Sequence, residues 1–300
     1  MAKTELRILK YFLMVAREEN ITRAANLLHV TQPTLSRQLM QLEDELGVKL
    51  FYRTSHRITL TDEGMLLKRR AQEILELTER TEREVSRREG SLMGEIAIGC
   101  GETRNMAVVA EVMAAFRKKY PLVRFNVYTA IADDVKERIE NGLLDIGLLV
   151  EPVDISKYEF IRLPQKEEWG VLVRADSPLA AKQAVRPQDL AGVPLIMVKR
   201  ELTQNEMSNW FGDYANNMEI AAVYSLILNA ALMVRSGVGA ALCFDMGNLY
   251  YDDLRFVPFT PALKTGAVLA WKKSQRMTPA VEEFIKDIRS YIAGMDSNKI

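Results

Sequence analysis

Residues 24–54 read AANLLHVTQPTLSRQLMQLEDELGVKLFYRT. On a wheel at about 100° per residue, Leu35, Leu39, Leu42 and Leu46 fall within about 60° of one another. They predict a helix with an apolar underside. Thr31 stands where an N-cap is needed, and Pro33 falls in the first turn, where an N–H is not missed. Gly47 stops the helix. Pro33, Thr34, Arg37 and Gln41 face the opposite way, with Ser36 on the flank and Gln32 at the start. A helix that needed only solubility would carry Glu and Lys there. Gln can pair with adenine edges, Arg with guanine edges, and small hydroxyls with bases or phosphates.

Upstream, Leu6, Leu9, Leu13 and Ala16 recur at 3-4-3 spacing and predict a helix over 5–19, ended by Asn20. Thr22 is the expected cap of a short second helix whose inner face is Ala24, Ala25 and Leu28. The second and third helices are joined tightly, the pattern of a helix-turn-helix. Downstream, Leu50 to Leu60 predicts a short hairpin. Its tip carries Arg53, Thr54, Ser55, His56 and Arg57, which suit a phosphate backbone or a minor groove. Thr61 then caps a long helix with Asp62 and Glu63 in its first turn. Along it, Leu60, Gly64, Leu67, Ala71, Ile74, Thr78, Thr81 and Val85 repeat at spacings of four and three. A seam this narrow, set among Glu and Arg, asks for a partner helix. Self-association through Leu67, Ala71, Ile74, Thr78 and Val85 is favoured over a helix lying on its own domain. Gly90 and Gly94 mark the linker.

From Gly94 the pattern alternates between strand and helix. Strands are expected at 95–100, 124–129 and 145–150, with helices at 105–120 and 133–141 between them. A second series follows: strands at 169–174, 193–198, 220–224, 240–244, 254–259 and 267–271, and helices at 204–216, 226–236 and 278–293. Two α/β halves with a cleft between them are the simplest assembly. Ligands of parallel sheets sit beyond the carboxyl ends of strands.

The composition narrows the function. Forty Lys+Arg balance forty Asp+Glu over 300 residues, which excludes a wholly basic nucleic-acid coat. Residues 1–60 nevertheless carry nine Lys/Arg against six Asp/Glu, a local excess of three. The two histidines, His29 and His56, both lie near the start. A His-rich metal site or a Ser-His-Asp triad in the larger C-terminal part is therefore excluded, and no catalytic or metal residue is assigned. Two cysteines cannot build a disulfide framework and point to a reducing, cytoplasmic setting. The longest apolar stretch, Ile220 to Val234, is 15 residues and holds Ser225 and Asn229; a membrane span needs about 20. The run from Tyr11 to Ala16, flanked by Lys10 and Arg17, is too short for a signal peptide.

Leu9, Phe12, Ala24-Ala25, Leu28, Thr31-Gln32-Pro33, Leu35-Ser36-Arg37, Leu42-Glu43, Leu46-Gly47, Leu50-Phe51, Arg53, Leu60-Thr61 and Gly64 form a dense pattern. Through them residues 1–64 resemble the winged helix-turn-helix of LysR-type transcriptional regulators. Tyr120-Pro121, Gly142-x-x-Asp145-Ile146-Gly147, Ser177-Pro178-Leu179-Ala180 and Gly237-x-Gly239 extend the likeness more loosely over the rest. The resemblance implies an α/β protein overall. An all-α winged helix-turn-helix (1–60) would be followed by a linker and dimerisation helix (61–91). An effector-binding domain (92–300) similar to type 2 periplasmic solute-binding proteins would complete it. Its first subdomain would hold about 92–162 and 266–300, its second about 163–265. The resemblance also implies no enzyme, but a homodimer that assembles to a homotetramer on two half-sites of double-stranded promoter DNA. RNA polymerase is the further partner such a regulator would meet. The DNA contacts would be Gln32, Pro33, Thr34, Ser36 and Arg37, with the wing at Arg53, His56 and Arg57.

A reversible small-molecule effector, and no other cofactor, is expected in the cleft. The loop Gly99-Cys100-Gly101-Glu102-Thr103-Arg104-Asn105 precedes a helix, and free N–H groups there, with Thr103 and Arg104, suit a carboxylate. Glu102 is close enough to neutralise Arg104. The third glycine of a dinucleotide fingerprint is replaced by Arg104, so a nucleotide is rejected. Lys199 to Gln204 would form the opposite lip, with Thr203 as its hydroxyl, and Ser225 begins the next helix facing the cleft. Thr103 and Ser225 could equally be plain helix caps. Cys100 and Cys243 end strands in opposite halves; two small buried residues are favoured over a redox pair.

Overall fold

The computed structural model of the chain describes residues 5–53, 58–85, 92–247, 251–273 and 276–297. The chain divides into two compact units, Met1–Arg87 and Arg88–Ile300.

In the first unit, α1 (Leu6–Glu18) buries Ile8, Leu9, Phe12 and Val15. The inward face is therefore rotated from the expected Leu6, Leu9, Leu13, Ala16 stripe, and Leu6 is exposed. Phe12 sets that rotation by packing on Phe51, ring centroids 5.3 Å apart. α2 (Ile21–Leu27) is capped by Asn20, which accepts the Arg23 N–H at 2.9 Å. Asn20 thus opens the second helix as its cap, in place of Thr22. His29, at φ 55°, turns the chain into α3 (Gln32–Leu46), capped by Thr31 and ended by Gly47 at φ 69°. Leu35, Leu39 and Leu42 are buried. Each such side chain contributes about 1.5–3 kcal/mol of burial free energy. Leu46, the last helical residue, is exposed, because the inward face at that end belongs to Glu43.

The hairpin is short: β1 (Phe51–Arg53) pairs antiparallel with β2 (Ile58–Leu60). α4 (Asp62–Val85) then leaves the hairpin through Thr61. The Thr61 hydroxyl donates to the Lys49 carbonyl at 2.7 Å and accepts the Gly64 N–H at 2.9 Å. This draws Gly64 against the hairpin, where a Cβ would collide with the Leu50 carbonyl oxygen. Gly64→Ala is accordingly expected to destabilise this unit by about 1–3 kcal/mol, the usual cost of overpacking. Thermal unfolding of the two proteins measures it, and equal midpoints would show that the contact yields freely.

The second unit holds two sheets. The first series is β3 (Gly94–Cys100), α5 (Met106–Lys119), β4 (Val123–Thr129), α6 (Ala132–Glu140), β5 (Ile146–Val150) and β6 (Tyr158–Arg162). The second is β7 (Glu167–Arg174), β8 (Pro194–Val198), α7 (Glu201–Phe211), β9 (Glu219–Tyr224), α8 (Ile227–Arg235), β10 (Ala240–Phe244), β11 (Leu254–Pro258) and β12 (Lys264–Thr265). β13 (Ala267–Lys272) and α9 (Pro279–Ser297) end the chain. The sheet orders are β4-β3-β5-β13-β6 and β11-β7-β10-β8-β9, with β12 beside β7. β3 lies parallel to β4 and β5, whereas β13 returns from the far end and inserts antiparallel between β5 and β6. Apolar strands such as Ile146–Val150 are buried on both faces, which calls for helices on both sides. Val112, Phe116, Phe284 and Ile288 cover one face of the first sheet, and Val135 and Ile139 the other. β6 escaped the sequence reading because it is an edge strand that exposes Glu159 and Phe160 and buries Tyr158 alone.

Candidate functional site

The outward face of α3 is built from beneath. With Leu35, Leu39 and Leu42 buried, Gln32, Pro33, Arg37 and Gln41 are exposed, and Thr34 and Ser36 are partly so. The Thr34 and Thr31 hydroxyls share a hydrogen bond of 2.8 Å, and Gln41 donates to Glu45 at 2.8 Å. Among the described residues nothing pairs with Arg37, so its guanidinium is available to a partner. Arg53 is placed differently. Its Nη2 lies 3.1 Å from Glu43, and two-thirds of its side chain is covered. Glu43 itself is 2% exposed and accepts the N–H groups of Leu50 and Phe51 at 2.8 and 3.2 Å. This carboxylate fastens the hairpin to α3, and Arg53 completes it. His56 and Arg57 lie outside the described residues.

The expected seam on α4 is divided. Ala71 is fully buried and Leu67 packs against the same core, the unit's own α1 to α3. Those two positions are occupied by the helix-turn-helix because α4 folds back on α1. Thr78 donates to the Ile74 carbonyl at 2.8 Å. The apolar residues left exposed are Met65, Leu66, Ile74 and Leu77. At about 100° per residue Leu66, Ile74 and Leu77 lie within about 80° of one another, so a second apolar stripe runs beside the predicted one. The side chain of Val85 lies outside the described residues.

In the second unit, the loop after β3 meets the starts of α7 and α8. A cavity of about 90 Å³ is lined by Glu102, Trp169, Arg200, Thr203, Tyr224 and Ser225, among others. A neighbouring one of about 380 Å³ includes Cys100, Thr103, Met106, Leu228 and Met246. Gly101, Glu102 and Ile227 border both, so Glu102 stands between them. Glu102 accepts the Ile227 N–H at the start of α8. Arg104 pairs with Asp245 across the cleft at 3.0 Å rather than with Glu102. Both charged residues of the loop thus find partners on the second sheet's elements. The start of α5 is also filled. Glu167, 2% exposed, accepts the Asn105 N–H at 3.2 Å and the Thr103 hydroxyl. Of the N–H groups expected to be free there, that of Asn105 is taken by this buried carboxylate of β7, and those of Met106 and Ala107 by the Thr103 and Arg104 carbonyls.

Of the five expected cleft residues, Cys100 and Thr103 border the larger cavity, Thr203 and Ser225 the smaller, and Arg104 neither. Three residues escaped the sequence reading. Arg200 lies inside the expected 199–204 lip but was passed over for Thr203. Glu167 and Tyr224 carried no local signal. Tyr224 donates to the Leu242 carbonyl at 2.8 Å, and burial raises its phenol well above the ordinary range, so it stays neutral. Burial also pushes the Cys100 thiol up. Cys100 and Cys243 are both buried and unbridged. Ellman's reagent is therefore expected to find both thiols only after unfolding; prompt reaction of either in the native protein would place it at the surface. Among the described residues no cluster of three His, Cys, Asp or Glu could hold a metal ion.

A helix-turn-helix with an outward polar face, joined to a two-sheet α/β unit with cavities where its loops meet, defines a DNA-binding regulator with a small-molecule domain. Two family models match. The bacterial regulatory helix-turn-helix protein, lysR family, covers residues 6–65, and the LysR substrate binding domain covers residues 89–293. The chain belongs to the LysR family of transcriptional regulators. HcaR, the Hca operon transcriptional activator of Escherichia coli K12, is 29% identical over 296 residues, 97% of this chain and 99% of that protein. BsdA, an HTH-type transcriptional regulator of Bacillus subtilis 168, is 32% identical over 245 residues, 79% of this chain and 83% of that protein. The crystal structure of CbnR, a LysR family transcriptional regulator, shares the fold with a TM-score of 0.75 at 22% identity, over 96% of this chain and 99% of that one. Among the described residues no helix is long and apolar enough to cross a membrane.

Proposed function

We propose that α3 reads base edges in promoter DNA through Gln32, Pro33, Thr34, Ser36 and Arg37, while His56 and Arg57 of the wing meet the phosphate backbone, joined by Arg53 through the third of its side chain that the Glu43 pair leaves exposed. Arg37, exposed and unpaired among the described residues above three buried leucines, is the observation that carries this reading. Two copies pair through α4, on the stripe of Leu66, Ile74 and Leu77 with Thr78 beside it, and pairs assemble to a tetramer on two half-sites. The domain division is that of the resemblance: 1–60, 61–91 and 92–300, the last in two subdomains. A small molecule bound between them, against Thr203 and Ser225, changes their closure and so the spacing of the recognition helices. The protein works in the cytoplasm and meets RNA polymerase at the promoter.

Selection of bound duplexes from a random pool tests the first part. Enrichment of one motif with two related half-sites is expected. Recovery of unenriched sequence, whatever small molecules are supplied, would remove base reading from α3.

A further inference from the structure

Arg200 precedes α7 and its side chain is 94% buried, being 6% exposed. Nη1 donates to the Val150 carbonyl at the end of β5, at 3.2 Å. Nε and Nη2 are buried and, among the described residues, have no hydrogen-bond partner. These two atoms form one edge of the guanidinium, and their N–H bonds run parallel, the geometry that grips both oxygens of a carboxylate. Leaving charged donors unpaired in a protein interior is costly, so the edge is held ready for an acceptor. The nearest acid, Asp133, has Oδ2 at 3.5 Å from Nε without a hydrogen bond, and it is 56% exposed and screened by water. Glu206 is the other acid near Arg200; burial pushes its carboxyl up, and its Oε2 has no partner.

The remaining walls describe the rest of the ligand. Leu148, Val150, Trp169 and Phe244 are apolar. The Tyr224 hydroxyl is spent on Leu242, which leaves Thr203 and Ser225 as hydroxyls on the wall. The volume of about 90 Å³ is below the roughly 150 Å³ that houses benzene in an apolar cavity, so the ligand is small or the cleft opens slightly for it. Glu102 already fills the start of α8 and would repel a second negative charge.

Resting on the reading that the effector binds in this cleft, we propose that it is a small monocarboxylate with an apolar body, held two-pronged by the Nε–Nη2 edge of Arg200. Arg200 then contacts the ligand with one edge and β5 with the other, so binding adds a tie between the two sheets' elements.

Isothermal titration of the full chain with isobutyrate and benzoate, against isobutyramide and benzamide, tests this. The acids are expected to bind the wild type and the amides not. Arg200→Met should weaken acid binding by about a hundredfold, and Arg200→Lys, which keeps the charge but loses the fork, by about tenfold. Circular dichroism confirms that each variant is folded, and the acid–amide comparison needs no variant. Ser225→Trp, which fills the cavity, should abolish binding. Amides that bind as tightly as acids, and are blocked by Ser225→Trp, would overturn the carboxylate class and leave the cleft reading standing. Acid binding that survives both Arg200→Met and Ser225→Trp lies elsewhere and would overturn both. No binding of either acid at tens of millimolar would overturn the proposal.

Discussion

Glu43→Ala is expected to lower the stability of the helix-turn-helix unit by about 3–5 kcal/mol, the range for removing one partner of a buried charged network. The side chain is 2% exposed, holds two backbone N–H groups of the hairpin, and pairs with Arg53. Alanine leaves the Leu50 and Phe51 donors unpaired and the Arg53 guanidinium without its anion. For a unit of this size the melting temperature should fall by roughly 15 °C or more. Glu43→Gln keeps an acceptor and loses the charge, so its effect should be about half as large. A two-step thermal melt separates this unit from the other. An unshifted first transition in Glu43→Ala would show that water replaces the carboxylate at no cost, and that the hairpin is held by its apolar side chains alone.

Arg37→Ala is expected to cost about 1–3 kcal/mol of discrimination, roughly fivefold to 150-fold between the selected duplex and a random one. Arg37 is exposed and none of the described residues pairs with it, so its loss should leave stability within about 0.5 kcal/mol of the wild type. Arg57→Ala, at the proposed phosphate contact, should instead weaken all duplexes alike and reduce the salt slope by about one. Binding measured across a salt series, on both duplexes, distinguishes the two effects. The same change in slope and discrimination for both variants would defeat the division between base reading and phosphate contact.

The outward face of α3 was legible because the signal is periodic and local. Thr31, Pro33, Leu35, Leu39, Leu42 and Gly47 state a start, an underside and a stop within 17 residues. The α4 seam was harder. Leu67 and Ala71 fit a heptad equally well whether they meet a second copy or their own domain, and periodicity does not say which. Folding decided it by placing α1 against them. Arg53 looked like any basic wing residue until the hairpin carried it to Glu43.

The sequence by itself determined the winged helix-turn-helix, the alternation of strand and helix after Gly94, and the family, because each is encoded in short-range spacing and in motifs a few residues long. The tertiary structure alone decided what the charged groups do. Glu102 meets a helix start 125 residues away, and Arg104 meets an acid 141 residues away. It also decided that β13 returns between β5 and β6, and that among the described residues one edge of Arg200 has no hydrogen-bond partner. Such pairings join distant parts of the chain. They leave no period in the sequence, since a carboxylate or guanidinium carries the same chemistry wherever it stands and only its surroundings assign it a partner.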